Sequence, residues 1–535
     1  MSADPSRHLP DRPSLEQLRK QAKDLLRTRR ATDPSAMLAA AQHALAREYG
    51  FDSWPKLVHH VESVRPSQRM LQPEDLKSDQ PLLWSAGRGT DVWALFEACH
   101  AGDLGVVLTL LAKDPSLVRA HYEYRKPLYF AVRENHVAVA RFLLERDPNP
   151  LDLWVDDSPI EIAHDRGCAE MERMLAEVLE TRFNASPTGE PVADAIRRRD
   201  RKTMRARLDA DPGLLTKGDR RSNQPIHWAT MTRQPKVIDE LLARGADINA
   251  RRMDGARPIH LTNGDYFHRG WRDVSRLWPV TPAQVMAHLK ARGAVIDLPT
   301  ACHTGDIDRV RELIRQDPSL ANRIGDHLGY YLGAGAPLPN AAAAGRMDIV
   351  RLLLDHGADP NLREEQFAPR GKALYQAVSH GHYAIAKLLL ERGAFPNPPV
   401  ESSGDALWVA RHRRPNKQME ALLLSYGATP EAERQEEDWW TRVHDWLRVT
   451  PLHQAARRGD VKKAKELLDE GADITARDEH LQSTPLAWAA KNGQLRMVKF
   501  LLKRGAPKTL PDDPAWATPR AWATRRGHWK IAEWL

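Results

Sequence analysis

The chain has 535 residues, with 79 lysines and arginines against 71 aspartates and glutamates and a formal net charge of +8. That excess permits acidic partners but, spread over this length, does not demand nucleic acid. The three cysteines (Cys99, Cys168 and Cys302), the absence of an 18-residue apolar run and an opening MSADPSRHLPDRPS without an apolar core argue against a disulfide framework, a membrane-spanning helix and a secretory signal; the expectation is a cytoplasmic protein with no membrane association.

Residues 1–66 read as a helical cap. Leu15, Leu18, Ala22, Leu25 and Leu26 fall on one helical face, Ser35 to Tyr49 forms a second helix ended by Gly50, and Ser53 caps a third carrying Trp54, Leu57, Val58 and Val61. Arg27, Arg29 and Arg30 cluster at the end of the first helix and read as a solvated helix end rather than a nucleic-acid arm. Residues 67–91, with Pro73, Pro81, Gly87 and Gly89, read as a linker.

From Val92 onward the chain reads as copies of a two-helix unit. The first group, 92–180, holds FEACHAGDLGVVLTLLAKDPSL, KPLYFAVRENHVAVARFLLERDPNP and SPIEIAHDRGCAEMERMLAEVLE, with Asn135 standing at a glycine position because Asn tolerates left-handed φ. The second, 191–297, opens on a degraded arginine-rich unit, with Arg199 at the glycine position and Arg197, Arg198, Arg201, Arg205 and Arg207 around it. In its last unit Gly293 follows Gly245 by 48 residues, roughly 15 more than one repeat, and the excess lies near Gly264 to Thr281. The third, 298–430, opens on PTACHTGDIDRVRELIRQDPSL, in which Cys302 and Pro318 each follow their counterparts Cys99 and Pro115 by 203 residues, a mark of block duplication. It also contains a long connection, 324–340. Residues 431–448 (EEDWWTRVHDWLRV within them) form an amphipathic connector.

The fourth group, 449–535, is the clearest. Thr450, Thr484 and Thr518 are 34 residues apart and begin TPLHQAARRGDVKKAKELLDEGADITARD, TPLAWAAKNGQLRMVKFLLKRGA and TPRAWATRRGHWKIAEWL. Thr450 caps a helix, Pro451 suits its first turn, Gly459 ends it, Asp460 caps the next helix and Gly471 ends that one. The last copy carries Trp529, Ile531, Trp534 and Leu535, which are predicted to leave an apolar face partly open.

These units resemble the ankyrin repeat family, over roughly 92–535, and REYGFDSWPKLVHHVE resembles a segment near the start of some bacterial ankyrin proteins. The resemblance implies an all-α ankyrin repeat solenoid with an N-terminal helical cap, about a dozen repeats long. It implies recognition of partners through hairpin tips and the inner face of the first helices. It also implies that His227, His260 and His453, at the fourth position of TPLH-like motifs, tie neighbouring turns together by hydrogen bonds.

No motif carries chemistry. The Cys99–His100 and Cys302–His303 dipeptides align with Ala456–Arg457, so each cysteine takes a core position, and neither has a second ligand pair at zinc-site spacing. The run GYYLGAG lacks the Lys-Ser/Thr of a phosphate loop, and no GxSxG, HExxH or kinase signature occurs. The expectation is no enzyme, no catalytic residues, no cofactor and no metal. Tryptophan is abundant, at 16; Trp228, Trp488 and Trp522 share one repeat position and read as packing residues. The aromatic residues off the pattern are the candidate partner-binding residues: Tyr266, Phe267, Trp271 and Trp278 in the excess, Tyr330 and Tyr331 in the long connection, Trp439 and Trp440 in the connector. Patching of imperfect repeat junctions is the alternative for these residues. The leading functional reading is a scaffold that binds another protein. The alternatives are a polyanion binder acting through the arginines, with nucleic acid the weaker choice, and a small-molecule or enzymatic site where segments 264–281 and 324–340 meet.

Overall fold

The computed structural model describes residues 15–31, most of 33–57, 70–147, 158–429 and 449–535, apart from a few positions inside these spans, including Tyr266 and 328–330. Among the described residues the protein is helical, with β structure limited to isolated bridges. Between Gly89 and Ala532 the described residues form thirteen pairs of short helices. The fold is an all-α repeat solenoid.

The local chemistry of one unit shows why the pairs form. Pro451 opens the helix Pro451–Arg458, where its missing N–H costs nothing. Gly459 turns the chain at φ +73, and a Cβ there would lie 2.4 Å from Gln494 Oε1, so both conformation and space call for glycine. The Asp460 side chain then accepts the Lys463 N–H at 3.0 Å and caps the helix Val461–Asp469. Leu452, Ala455, Ala456 and Ala464 face inward. A unit this small buries its apolar stripe only against the next one. The predicted histidine ties are present at two positions: His227 Nε2 pairs with the Ala250 carbonyl at 3.0 Å, and His453 Nε2 with the Ser483 carbonyl at 3.1 Å. Trp228 and Trp488 are buried and donate Nε1–H to Asp219 and Asp478, each at 2.7 Å. Cys99 and Cys302 are fully buried, and burial pushes their thiols up. The corner glycine has three substitutes that keep left-handed φ: Asn135 at +63, Arg199 at +60 and Arg233 at +55.

The cap forms as two helices, Leu15–Arg30 and Leu38–Glu48, joined by Tyr49 Oη–H donating to Gln21 Oε1 at 2.9 Å. Most of the third predicted cap helix lies outside the described residues, although Leu57 is buried with Leu18 and Ala46. Within the stretch read from sequence as a linker, a 3-10 turn, Glu74–Lys77, packs on the first repeat through Leu76, and Pro81 bridges to Arg88. The connector 431–448 lies outside the described residues.

The apolar core does not follow chain order. One continuous cluster runs from Val192 to Ala428. A second joins the first repeats, Leu76 to Leu175, to the last ones, Val449 to Ile531. At that join the Tyr129 hydroxyl meets His480 Nδ1 at 2.5 Å, and Arg166 Nη2 donates to the His480 carbonyl at 2.7 Å. Arg166 also lies over the Trp516 ring, and Arg526 pairs with Asp165 at 2.5 Å.

Candidate functional site

The site is built where one repeat departs from the pattern. Its first helix is reduced to the 3-10 turn Pro258–Leu261, and the second, Pro282–Lys290, starts only after an extra segment containing the short helix Gly270–Asp273. Residues 264–281 therefore project between two helices, as their spacing predicts.

A buried guanidinium holds the base of this projection. Arg252, 8% exposed, donates to Asn223 Oδ1 and Asp265 Oδ2 through Nη1, and to Asp254 Oδ2 through Nη2, each at 2.7 Å. Its Nη2 also donates to the Tyr331 hydroxyl at 2.8 Å, and Tyr331 in turn donates to Asp254. Burial opposes the charge on Arg252, but Asp254, Tyr331 and Asp265 outweigh it and hold the guanidinium ionised. Burial also raises the Tyr331 phenol well above its usual range, opposed by Arg252 and reinforced by Asp254, so it stays protonated and donates. Asp265 shapes the next turn by accepting the N–H groups of Phe267 and His268 at 2.9 and 2.8 Å. The long connection and the projection thus meet through Arg252.

A tryptophan holds the far end. Trp278 donates Nε1–H to the Arg233 carbonyl at 2.9 Å, and the Arg199 guanidinium lies 3.5 Å from its ring centroid. Between these two anchors the projection exposes Phe267 (51%), Trp271 (62%) and Leu277 (93%). Single exposed apolar side chains are ordinary, but here three large ones fall on one pinned segment.

The eight aromatic residues singled out in the sequence separate as follows. Phe267 and Trp271 are presented to solvent, Trp278 is a half-buried clamp, and the Tyr331 hydroxyl is committed to Arg252 and Asp254. Tyr266, Tyr330, Trp439 and Trp440 lie outside the described residues. Leu277 and the Arg252 network went unremarked in the sequence. The excess length that located the segment also bounds Leu277, but Arg252 draws its partners from three separate loops and leaves no linear signal.

Beneath the network His260, Asp297 and His327 bring ligand-type atoms within 4.8 Å of one another. Their geometry does not suit a single ion. The two imidazoles are stacked, centroids 4.0 Å apart and planes at 14°, whereas a bound ion lies in the plane of each ligating ring. The Arg257 N–H donates to His260 Nδ1 at 3.1 Å, so the proton sits on His260 Nε2, which faces Asp297 Oδ2 at 3.2 Å. His260 thus faces a carboxylate where His227 and His453 face a carbonyl. His327 Nε2 pairs with the Leu332 carbonyl at 2.9 Å, and burial lowers this imidazole to about 4. The trio is a stacked imidazole pair beside a carboxylate; burial, which would raise Asp297, is outweighed by hydrogen bonds from His260 and Thr300 that hold it below the usual carboxylate range.

The arginine-rich unit is largely satisfied internally. Arg201 and Arg205 both pair with Glu240, at 2.7 and 2.6 Å, and Arg197 pairs with Glu190 and Asp194.

Comparison with known proteins agrees with this architecture. A family model described as "Ankyrin repeats (3 copies)" matches residues 298–399, 408–512 and 452–535, and one described as "Ankyrin repeat" matches 223–252. The chain belongs to the ankyrin repeat family. Ankyrin repeats generally act as protein-interaction modules, and proteins of the family are typically non-enzymatic. Among curated ankyrin relatives, the "Putative ankyrin repeat protein YahD" of Escherichia coli (strain K12) is 28% identical over 147 residues, 28% of this chain and 70% of the relative. The "2-5A-dependent ribonuclease" of Mus musculus is 44% identical over 68 residues, 13% of this chain and 8% of the relative. The likeness to the ribonuclease therefore spans a small part of that protein. No helix among the described residues is long and apolar enough to cross a membrane.

Proposed function

We propose that this ankyrin repeat protein is a non-enzymatic scaffold that binds another protein, and that segment 264–281 forms part of the binding surface. The observation that supports this reading is the exposure of Phe267, Trp271 and Leu277 on a segment pinned at both ends. A pinned loop loses little conformational entropy on binding, and large apolar side chains are the usual anchors of an interface. A reducing, cytoplasmic setting fits the free cysteines. The polyanion reading is weaker, because Glu240, Glu190 and Asp194 already engage four of the arginines that motivated it, Arg197, Arg198, Arg201 and Arg205. For a small-molecule site, the place where the two loops meet is filled by the packed Arg252 network.

The test is crosslinking capture from native lysate with the wild-type chain and with Trp271→Ala/Leu277→Ala. Both side chains are exposed, so the fold is expected to persist. The expected result is a protein captured by the wild type and lost in the double variant. Equal capture by both rules out the segment, and recovery of small molecules alone rules out the scaffold reading.

A further inference from the structure

We infer that the partner segment engaging residues 264–281 is acidic: a peptide stretch carrying several Asp or Glu side chains around one or two large apolar residues. This rests on the scaffold reading and names the chemistry of what the scaffold holds.

The argument is charge complementarity around the apolar anchors. The projection carries Arg269, Arg272 and Arg276 against Asp265 and Asp273. Both aspartates are already spent. Asp265 is buried against Arg252, and Asp273 pairs with Arg272 at 2.7 Å while accepting the Arg269 N–H. Three further arginines close on the segment from neighbouring units. Arg221 stacks 3.0 Å from the Phe267 ring centroid, Arg199 lies on Trp278, and the Arg233 guanidinium sits 2.6 Å from where a Cβ on Gly270 would be. Among the described residues no carboxylate lies within ion-pair distance of Arg199, Arg221, Arg233 or Arg276.

Arg244, Arg392 and Arg504, by comparison, each find a carboxylate one repeat away, in Asp209, Asp355 and Asp469. Around the projection Arg199 and Arg221 are laid against aromatic rings, and burial lowers the proton affinity of Arg199, Arg221 and Arg233. Arg199 Nη2 already donates to the Thr232 carbonyl at 2.7 Å and Arg233 Nη2 to Asn263 Oδ1 at 3.0 Å, which leaves the exposed Arg221 and Arg276 as the cations that can take a partner's carboxylate. The anchors decide between a peptide and a nucleic acid. Leu277, almost wholly exposed, offers no stacking face to a base but suits an apolar side chain.

The experiment uses the full chain and three fluorescent synthetic peptides of equal length with the same Leu and Phe positions, carrying Glu/Asp, Gln/Asn or Lys/Arg at the remaining ones, with a single-stranded oligonucleotide as a fourth probe. Anisotropy at low salt is expected to rank the acidic peptide at least tenfold tighter than the neutral one, with the basic peptide unbound. Raising the salt to 0.5 M is expected to remove most of the difference. Arg221→Glu/Arg276→Glu is expected to abolish the acidic preference, and Trp271→Ala to weaken acidic and neutral peptides alike, with melting curves confirming that each variant is folded. Equal binding of acidic and neutral peptides, or tighter binding of the oligonucleotide, overturns the inference. Capture of a lysate protein that depends on Trp271 but not on Arg221 and Arg276 also overturns it while leaving the scaffold reading standing. Loss of both dependences removes the scaffold reading itself.

Discussion

His227 shows how much of this fold is held by single polar groups at fixed repeat positions. Its Nδ1 accepts the Gln224 N–H at 3.1 Å and its Nε2 pairs with the Ala250 carbonyl at 3.0 Å, so the neutral ring joins two turns from a fully buried position. Burial first, with Arg252 second, lowers its proton affinity to about 3 from an ordinary 6.5. The unfolded chain therefore takes up this proton as pH falls through about 6.5, while the folded chain refuses it until about pH 3. The stabilisation is complete above the unfolded value and is lost across that window, at up to about 1.4 kcal/mol per pH unit for one proton. His227→Gln is expected to lower stability at neutral pH and to flatten the slope of urea midpoint against pH between 6 and 4.5; an unchanged slope would show that this residue does not set it. Arg252 makes the complementary case. Replacing it with Met leaves Asp265 and Asp254 without their shared cation, a loss expected to cost about 3–5 kcal/mol for a buried pair broken on one side. Hydrogen exchange is expected to quicken at 264–281 and 331–336 together, since both segments hang on that side chain.

The helix pairs and the projecting segment differ in how far they can be read from the chain. Pairs are legible because each position repeats: Thr450, Thr484 and Thr518 set the phase, and Gly459 and Asp460 mark corner and cap. Even the arginine-rich unit folds as a regular pair, Glu190–Arg197 and Arg201–Ala210, because Val192, Ile196, Met204 and Leu208 preserve its buried stripe. The projection is legible in place but not in detail. Excess spacing located it, yet residue type could not separate Trp271, exposed, from Trp278, clamped, because the difference lies in Arg199 and Arg233 of other repeats. Two substitutions test how the segment is pinned. Trp278→Ala is expected to raise amide exchange across 270–281 while leaving 484–503 unchanged. Gly264→Ala is expected to disturb the opposite end: φ there is +83, and an added Cβ would stand 1.9 Å from the His268 carbonyl oxygen. The backbone must then move, at a cost of about 1–3 kcal/mol for the left-handed conformation alone. If neither change alters exchange in the segment, it is not held as described.

At the scale of the whole molecule the first and last repeats share one core, and no local pattern announces this, because the partners are separated by hundreds of residues. Tyr129 and His480 are 351 apart in sequence, and Arg526 and Asp165 are 361 apart. Repeat periodicity fixes which unit follows which; it says nothing of a hairpin tip seating on a distant first helix. The join is polar as well as apolar. His480 is buried beside Arg125, Arg133 and Arg166, and burial followed by these cations holds its imidazole far below the ordinary range, so it is neutral at physiological pH. Asp165, 4% exposed, faces Arg525 at 3.7 Å and Arg526 at 2.5 Å. Asp165→Arg would place three guanidinium groups together in a buried position, where repulsion is weakly screened. The expected outcome is separation of the end repeats from each other without unfolding of either. Small-angle scattering should show a larger radius of gyration, and exchange should quicken at 478–484 while helicity is retained. Because the repulsion is pairwise, adding Arg526→Asp to Asp165→Arg should recover part of the compact form, and the recovered fraction measures the coupling between the two positions. Unchanged scattering in Asp165→Arg would mean that the apolar share of the join suffices alone; a larger radius that Arg526→Asp fails to reduce would assign the closure to Arg525 or to the seat of His480 against Tyr129.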